Sequence, residues 1–355
     1  MKQYQQNQSS WVFSQQEDLW VFIGPLILAY SLLAIMHFTG MSIFADGPDF
    51  FYYYVALFVD GSHGITTFVR LSQKQDISKE QKIFFFLLPA IIWLLILSLI
   101  QMQFSYIEIM ISYFAIYHFI KQQYGWLRIT SVKTQSLTQT EEFLDKMMIY
   151  NVTLFPIFYW SFIKTNFGWY GPNDIIKFYD HAWMKPVLVI IHITLSLIYL
   201  YFQVHTNKHR THTPWGKYLI IAVTWVAWVI PIVILESHIA KVLCFAIPHG
   251  LQYYYINFKV QSQSNNKTQT SPNQSLVPYL LRFYLAFVFI ELLIMSVDKK
   301  MIEFLSLHYT VYQQSGSSFL ALVSVFQIWH FIADGYIWKI KSQKSAQLQK
   351  TLNIY

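Results

Sequence analysis

Apolar residues run almost unbroken through stretches of about twenty positions, the length a helix needs to cross the hydrocarbon core of a bilayer. Ten such stretches can be drawn, at 19–40, 50–71, 82–102, 104–127, 146–164, 186–204, 217–235, 239–258, 277–297 and 318–338. The pattern predicts an all-α fold, a polytopic transmembrane helix bundle of about ten spans. No large soluble domain fits between them: 1–18 is a polar N-terminal segment, 19–340 a single transmembrane helical domain and 341–355 a basic cytoplasmic tail. Short connections after the third and seventh stretches predict tight helical hairpins, with a re-entrant segment as the alternative at either place. The polar stretches 131–142 and 259–276 read as flexible cytoplasmic loops. The stretch 165–183, with Trp169, Tyr170, Pro172, Tyr179 and Trp183, reads as an aromatic outer loop at the interface.

Composition agrees with this pattern. Of 355 residues, 55% are hydrophobic and 12% charged, whereas soluble domains carry about a quarter charged residues. The Gln-rich start lacks the short apolar core of a cleaved secretory signal, so the first hydrophobic helix is expected to stay. The net charge of +7 sits mostly at the ends of apolar stretches, where basic residues set orientation. The expected partners are therefore the lipid bilayer and an apolar small-molecule substrate, with no nucleic acid. With the N-terminus inside, seventeen Lys and Arg residues fall on the inner side and six on the outer, leaving Lys121 and Arg282 within spans. That asymmetry predicts both termini in the cytoplasm of a multi-pass protein in the cell's inner or plasma membrane.

On this topology the even-numbered spans all run from outside to inside. Four of them place a histidine 10 to 14 residues from the outer end: His63, His118, His249 and His330. At a rise of about 1.5 Å per residue their depths differ by roughly 6 Å, so the four imidazoles are predicted to share one layer. Each has a polar neighbour on its own helical face: Asp60, Gln122, Gln252 and Asp334 respectively. A lone intramembrane histidine is explained by a hydrogen bond to the next helix. Four at one level, beside carboxylates and amides, are better explained by a shared cation. The predicted metal ligands are His63, His118, His249, His330, Asp60 and Asp334, with Gln122 and Gln252 orienting them from behind.

Cys244 is the only cysteine, so a metal would rest on nitrogen and oxygen donors. That donor set favours iron first and zinc second, with haem a weaker third. A faint internal repeat sets HFIKQQYGW, from His118, beside HFIADGYIW, from His330. Other histidines give weaker signals. His192 reads as a packing partner or a ligand. His37, Glu236 and His238 read as a separate outer site or as hydrated interface, and His181 and His308 as loop residues. The run His205, His209, His212 has the spacing of a desaturase histidine box, but its basic neighbours make it a solvated loop.

The motifs Ser62-His63-Gly64, Tyr117-His118-Phe119, Pro248-His249-Gly250 and Trp329-His330-Phe331 resemble those of the Brp/Blh family of membrane-embedded β-carotene-cleaving dioxygenases. Where that pattern carries an acidic residue shortly after the first His-Gly, this chain has Thr66 and Thr67. The resemblance implies an all-helical protein that holds iron through His63, His118, His249 and His330 and splits a carotenoid with oxygen. The leading expectation is a metal-dependent membrane oxidoreductase of the oxygenase type acting on a lipid- or carotenoid-like substrate. Tyr124, Trp126, Tyr253, Tyr254, Tyr336 and Trp338 are candidates to line the substrate route. The alternatives are a metal-ion or proton transporter using the same His/Asp layer, and a haem-binding electron carrier.

Overall fold

A computed structural model of the chain describes residues 10–40, 50–73, 77–102, 104–134, 138–163, 173–208, 210, 212–265, 277–282, 285–286, 289 and 317–338. Every regular element among these residues is helical. The long helices are α1 (Gln15–Phe38), α2 (Phe50–Gln73), α3 (Lys79–Gln101), α4 (Ile107–Lys133), α5 (Gln139–Trp160), α6 (Met184–Asn207), α7 (Trp215–Ile234), α8 (His238–Asn265) and α9 (Ser317–Ile337). Each coincides with one predicted stretch. The ninth stretch, 277–297, lies mostly outside the described residues, as do the tail 341–355 and His308.

Among the described residues four helices are long and apolar enough to cross a membrane: α1, α3 over Lys79–Leu99, α6 and α7. On α3 and α6 the apolar side chains mostly point outward, among them Leu87, Leu94, Ile190 and Leu197. In water such a surface would be an aggregation patch; against lipid it is the expected exterior.

Local chemistry sets several helix starts. Ser14 caps α1 by accepting from Glu17 N at 3.2 Å, and Thr138 caps α5 by accepting from Glu141 N at 3.1 Å. Ser78 and Gln81 bond each other's main-chain N–H reciprocally at the start of α3, each at 3.2 Å. The α7–α8 hairpin turns through Glu236, whose φ of +46° lies in the left-handed region.

The segments expected to be loops are shorter than their composition suggests. Residues 131–133 still belong to α4, 139–142 to α5 and 259–265 to α8. The N-terminal segment also departs from a purely solvated strand. Val12 is buried, its main-chain N–H bonds Asp18 at 2.6 Å, and its carbonyl accepts from Lys133 at 2.7 Å.

Five helices form a closed ring: α2 packs on α8 and α9, α9 on α4, α4 on α7, and α7 on α8. The remaining helices lie outside it, with α1 on α8, α3 on α9, and α5 carrying α6. One buried ionic cluster joins α5, α6 and α7. Lys217 Nζ stands 2.6 Å from Glu141 Oε1 and 3.0 Å from Asp145 Oδ1. Tyr199 donates to Asp145 Oδ1 at 2.9 Å, and Arg210 pairs with Glu141. The His205–His212 run is thus tied to this cluster through Arg210, while His209 lies outside the described residues.

Candidate metal centre

The ring brings one histidine inward from each of four helices: His63 on α2, His118 on α4, His249 on α8 and His330 on α9. All four are buried, and one ligand atom from each lies within 4.8 Å of the others. His63 Nε2 is 2.9 Å from His330 Nε2 and 3.1 Å from His249 Nε2. One nitrogen shared between two others carries at most one proton, so hydrogen bonding alone satisfies the group poorly. Nε2 of His118 makes no hydrogen bond among the described residues, and neither does Nδ1 of His249. Convergent imidazole lone pairs of this kind are what a cation would satisfy together.

A glycine next to His249 sets how closely α2 and α8 approach. A Cβ on Gly250 would collide with the main-chain carbonyl of Val59, whereas one on Gly64 would meet His330 Cβ at an ordinary 3.7 Å. Of the two His-Gly pairs, only the one on α8 is sterically demanded. Aromatic rings close the site laterally: Phe331 stacks on His118 at 4.1 Å, and Phe119 meets His249 edge-on at 4.1 Å.

Below the histidines lies a second polar layer, built from residues four positions on. Thr67 Oγ1 is 2.7 Å from His330 Nδ1, 2.6 Å from the Tyr253 hydroxyl and 3.2 Å from Asp334 Oδ1. Tyr253 donates to Asp334 Oδ1 at 2.6 Å. The His63–His330 contact is therefore repeated one turn later by Thr67–Asp334, and His63–His249 by Thr67–Tyr253. Contacts that recur in the same chain order require α2, α8 and α9 to run parallel.

The predicted carboxylates flank the four-histidine group without joining it. Asp60 Oδ1 stands 3.6 Å from His63 Nδ1 and 3.7 Å from His249 Nε2, and Asp334 Oδ2 stands 3.5 Å from His330 Nε2. The two amides act on the scaffold. Gln122 donates to the main-chain carbonyl of His249 at 3.2 Å. Gln252 accepts from Gln123 at 3.4 Å, and Gln123 in turn accepts from Thr224 at 3.2 Å. That chain ties α8 and α4 to α7, the one ring helix that carries none of the four histidines.

No family model, curated protein or solved structure matches the chain.

The donor set therefore has to be read on its own chemistry, and the other histidines provide the control. Trp225 donates to His192 Nε2 at 3.2 Å, which leaves Nδ1 to carry the proton and donate to Asn151 Oδ1 at 3.2 Å. With Phe155 stacked on the ring at 4.2 Å, His192 is a packing partner of α5 and α7. His37 and His181 are exposed, and Glu236 accepts from Tyr159 at 3.4 Å. Among the described residues only His63, His118, His249 and His330 form a group able to hold a metal.

Of the proposed route residues, Tyr253 belongs to the polar layer and Tyr254 bonds Ser62 at 2.6 Å. Tyr336 bonds Gln81 at 2.9 Å. Trp126 packs against Phe13 and Phe22, Trp338 against Tyr253, and Tyr124 sits under Lys121. Sequence reasoning missed the role of Thr67 and of Gln123. The available signal was spacing, since Thr67 and Tyr253 each follow a ligand by four residues.

Proposed function

We propose that the chain is a multi-pass integral membrane protein, of about ten spans with cytoplasmic termini, whose four histidines hold a metal ion. It acts as an oxidoreductase of the oxygenase type on an apolar, lipid- or carotenoid-like substrate. The observation that carries this reading is the convergence of four buried imidazole nitrogens within 4.8 Å. The parallel course of α2, α8 and α9 supports the common direction expected for these spans.

Charge balance supports a divalent ion. Asp60 and Asp334 flank four neutral imidazoles, and two carboxylates with one divalent cation make a neutral group in a low-dielectric interior. Imidazole and carboxylate donors without thiolate favour iron over zinc. Haem loses support: imidazoles on opposite faces of a porphyrin would stand roughly 4 Å apart with the ring between them, and here the nitrogens approach to 2.9 Å.

Bound iron would supply a site for oxygen chemistry. The chain's own residues bury and orient that site. Phe119 and Phe331 exclude water, and the outward-facing Phe114, Tyr117 and Ile332 beside them give an apolar surface toward lipid. The resemblance to the carotenoid-cleaving family makes a long polyene the first substrate to try.

The test is metal analysis of detergent-purified protein beside four single His→Ala variants, followed by oxygen uptake with a polyene. About one iron per chain in the wild type, lost in each variant, is expected. A metal-free wild type, or four variants with full metal content, overturns the reading. The transporter reading is favoured by one observation, the face of α2 on which Asp60, His63, Thr67 and Arg70 line up. Metal-dependent flux in proteoliposomes without oxygen uptake would establish it instead.

A further inference from the structure

We infer that Thr67 is a positioning residue of the metal centre, tying His330 to Asp334 through Tyr253 so that His330 Nε2 stays free to bind. The inference rests on the metal reading above. A neutral imidazole offers a lone pair on only one nitrogen, so Nε2 ligation requires the proton on Nδ1. Nδ1 faces Thr67 Oγ1 at 2.7 Å and can donate to it. Thr67 then passes its own proton toward the Tyr253 oxygen at 2.6 Å, and Tyr253 donates to Asp334 Oδ1 at 2.6 Å. The imidazole end sets the direction of this chain, because Nδ1–H must donate, and Tyr253 completes it by donating to Asp334.

The opposite tautomer has a partner in waiting, which is why the hydroxyl matters. Asp334 Oδ2 stands 3.5 Å from His330 Nε2, so a small rotation would let the carboxylate draw the proton onto the ligating nitrogen. Thr67 removes that choice by giving Nδ1–H a better acceptor and by holding Asp334 through its other oxygen. Metal-binding histidines commonly donate their second nitrogen to a carboxylate or carbonyl. Here two hydroxyls stand between the ring and the carboxylate, and both side chains are buried away from competing water.

The test compares Thr67→Val, which keeps shape and removes the hydroxyl, with Thr67→Ser, which keeps the hydroxyl. Iron affinity is read by chelator competition, and cobalt-substituted protein adds a ligand-field spectrum. Thr67→Val is expected to weaken binding about 10- to 100-fold and to shift the cobalt bands, with Thr67→Ser close to wild type. Wild-type affinity in Thr67→Val overturns the inference, as does an equal loss in both variants, which would make packing at this position, and not the hydroxyl, responsible. If Thr67→Val does not fold, Tyr253→Phe replaces it. A smaller loss is expected there, because Thr67 also reaches Asp334 directly at 3.2 Å, and no loss at all overturns the chain. A metal-free wild type would sink the metal reading itself, a distinct result.

Discussion

Two of the buried polar clusters among the described residues are built on opposite principles. The Glu141, Asp145, Lys217, Arg210 cluster contains both signs of charge in equal number, and its members are bonded to one another and to Tyr199. The histidine layer presents four like donors to one another and leaves His118 Nε2 without a hydrogen bond among the described residues. The first is complete as a protein structure and acts as a clamp between α5, α6 and α7. The second leaves its donors and acceptors unbalanced among the described residues, and the metal proposed above would balance them. Burial is common to both, so burial alone does not mark function; an unfinished balance of donors and acceptors does.

The sharpest way to break this comparison is to remove a ligand. His63→Ala takes away the nitrogen nearest to two others, and metal content measured by mass spectrometry is expected to fall to background. Chelation should lower the wild-type melting temperature in detergent and leave that of His63→Ala unchanged. In the ionic cluster the order of effects reverses. Lys217→Met leaves Glu141 and Asp145 facing each other without their shared cation, and a destabilisation of about 3–5 kcal/mol is expected from chemical unfolding. Chelator should still lower its melting point, because the histidine layer is intact.

Smaller effects sharpen the picture further. Gly250→Ala pushes a methyl group at the Val59 carbonyl and should cost about 1–3 kcal/mol with weakened metal binding. Gly335→Ala, with nothing near its added carbon, should cost nothing measurable. Last, His192→Ala should keep full metal content and lose about 1 kcal/mol of stability, as a helix-packing hydrogen bond would. Loss of metal in that variant would show that the two kinds of buried histidine are not distinct.

The four histidines were legible in the sequence as one group because charge asymmetry predicted a single direction for their helices, and a common direction gave a common depth. Asp334 was legible too, as a carboxylate one turn from a ligand. Thr67 and Tyr253 were not, because hydroxyl side chains are frequent in membrane helices and spacing alone does not say which of them find each other across three helices. Gln122 and Gln252 illustrate the converse. They were expected to orient the histidines from behind, but an amide bonds whatever its length reaches, and here that is a main-chain carbonyl and another glutamine. The ionic cluster escaped notice because Lys217 lies where a span begins, and a lysine there looks like a topology marker. Its partner Glu141 fell in a stretch read as loop, which helix capping by Thr138 turns into the first turn of α5.

The distribution of the ligands along the chain also bears on how the protein is made. His330 follows His63 by 267 residues, an interval a ribosome takes some tens of seconds to translate at about 5–20 residues per second. Throughout that time the first helices are in place and the centre has no fourth side. Under the proposed metal reading, loading is therefore a late, post-translational step, and a chain that stops short of α9 would lack the fourth imidazole.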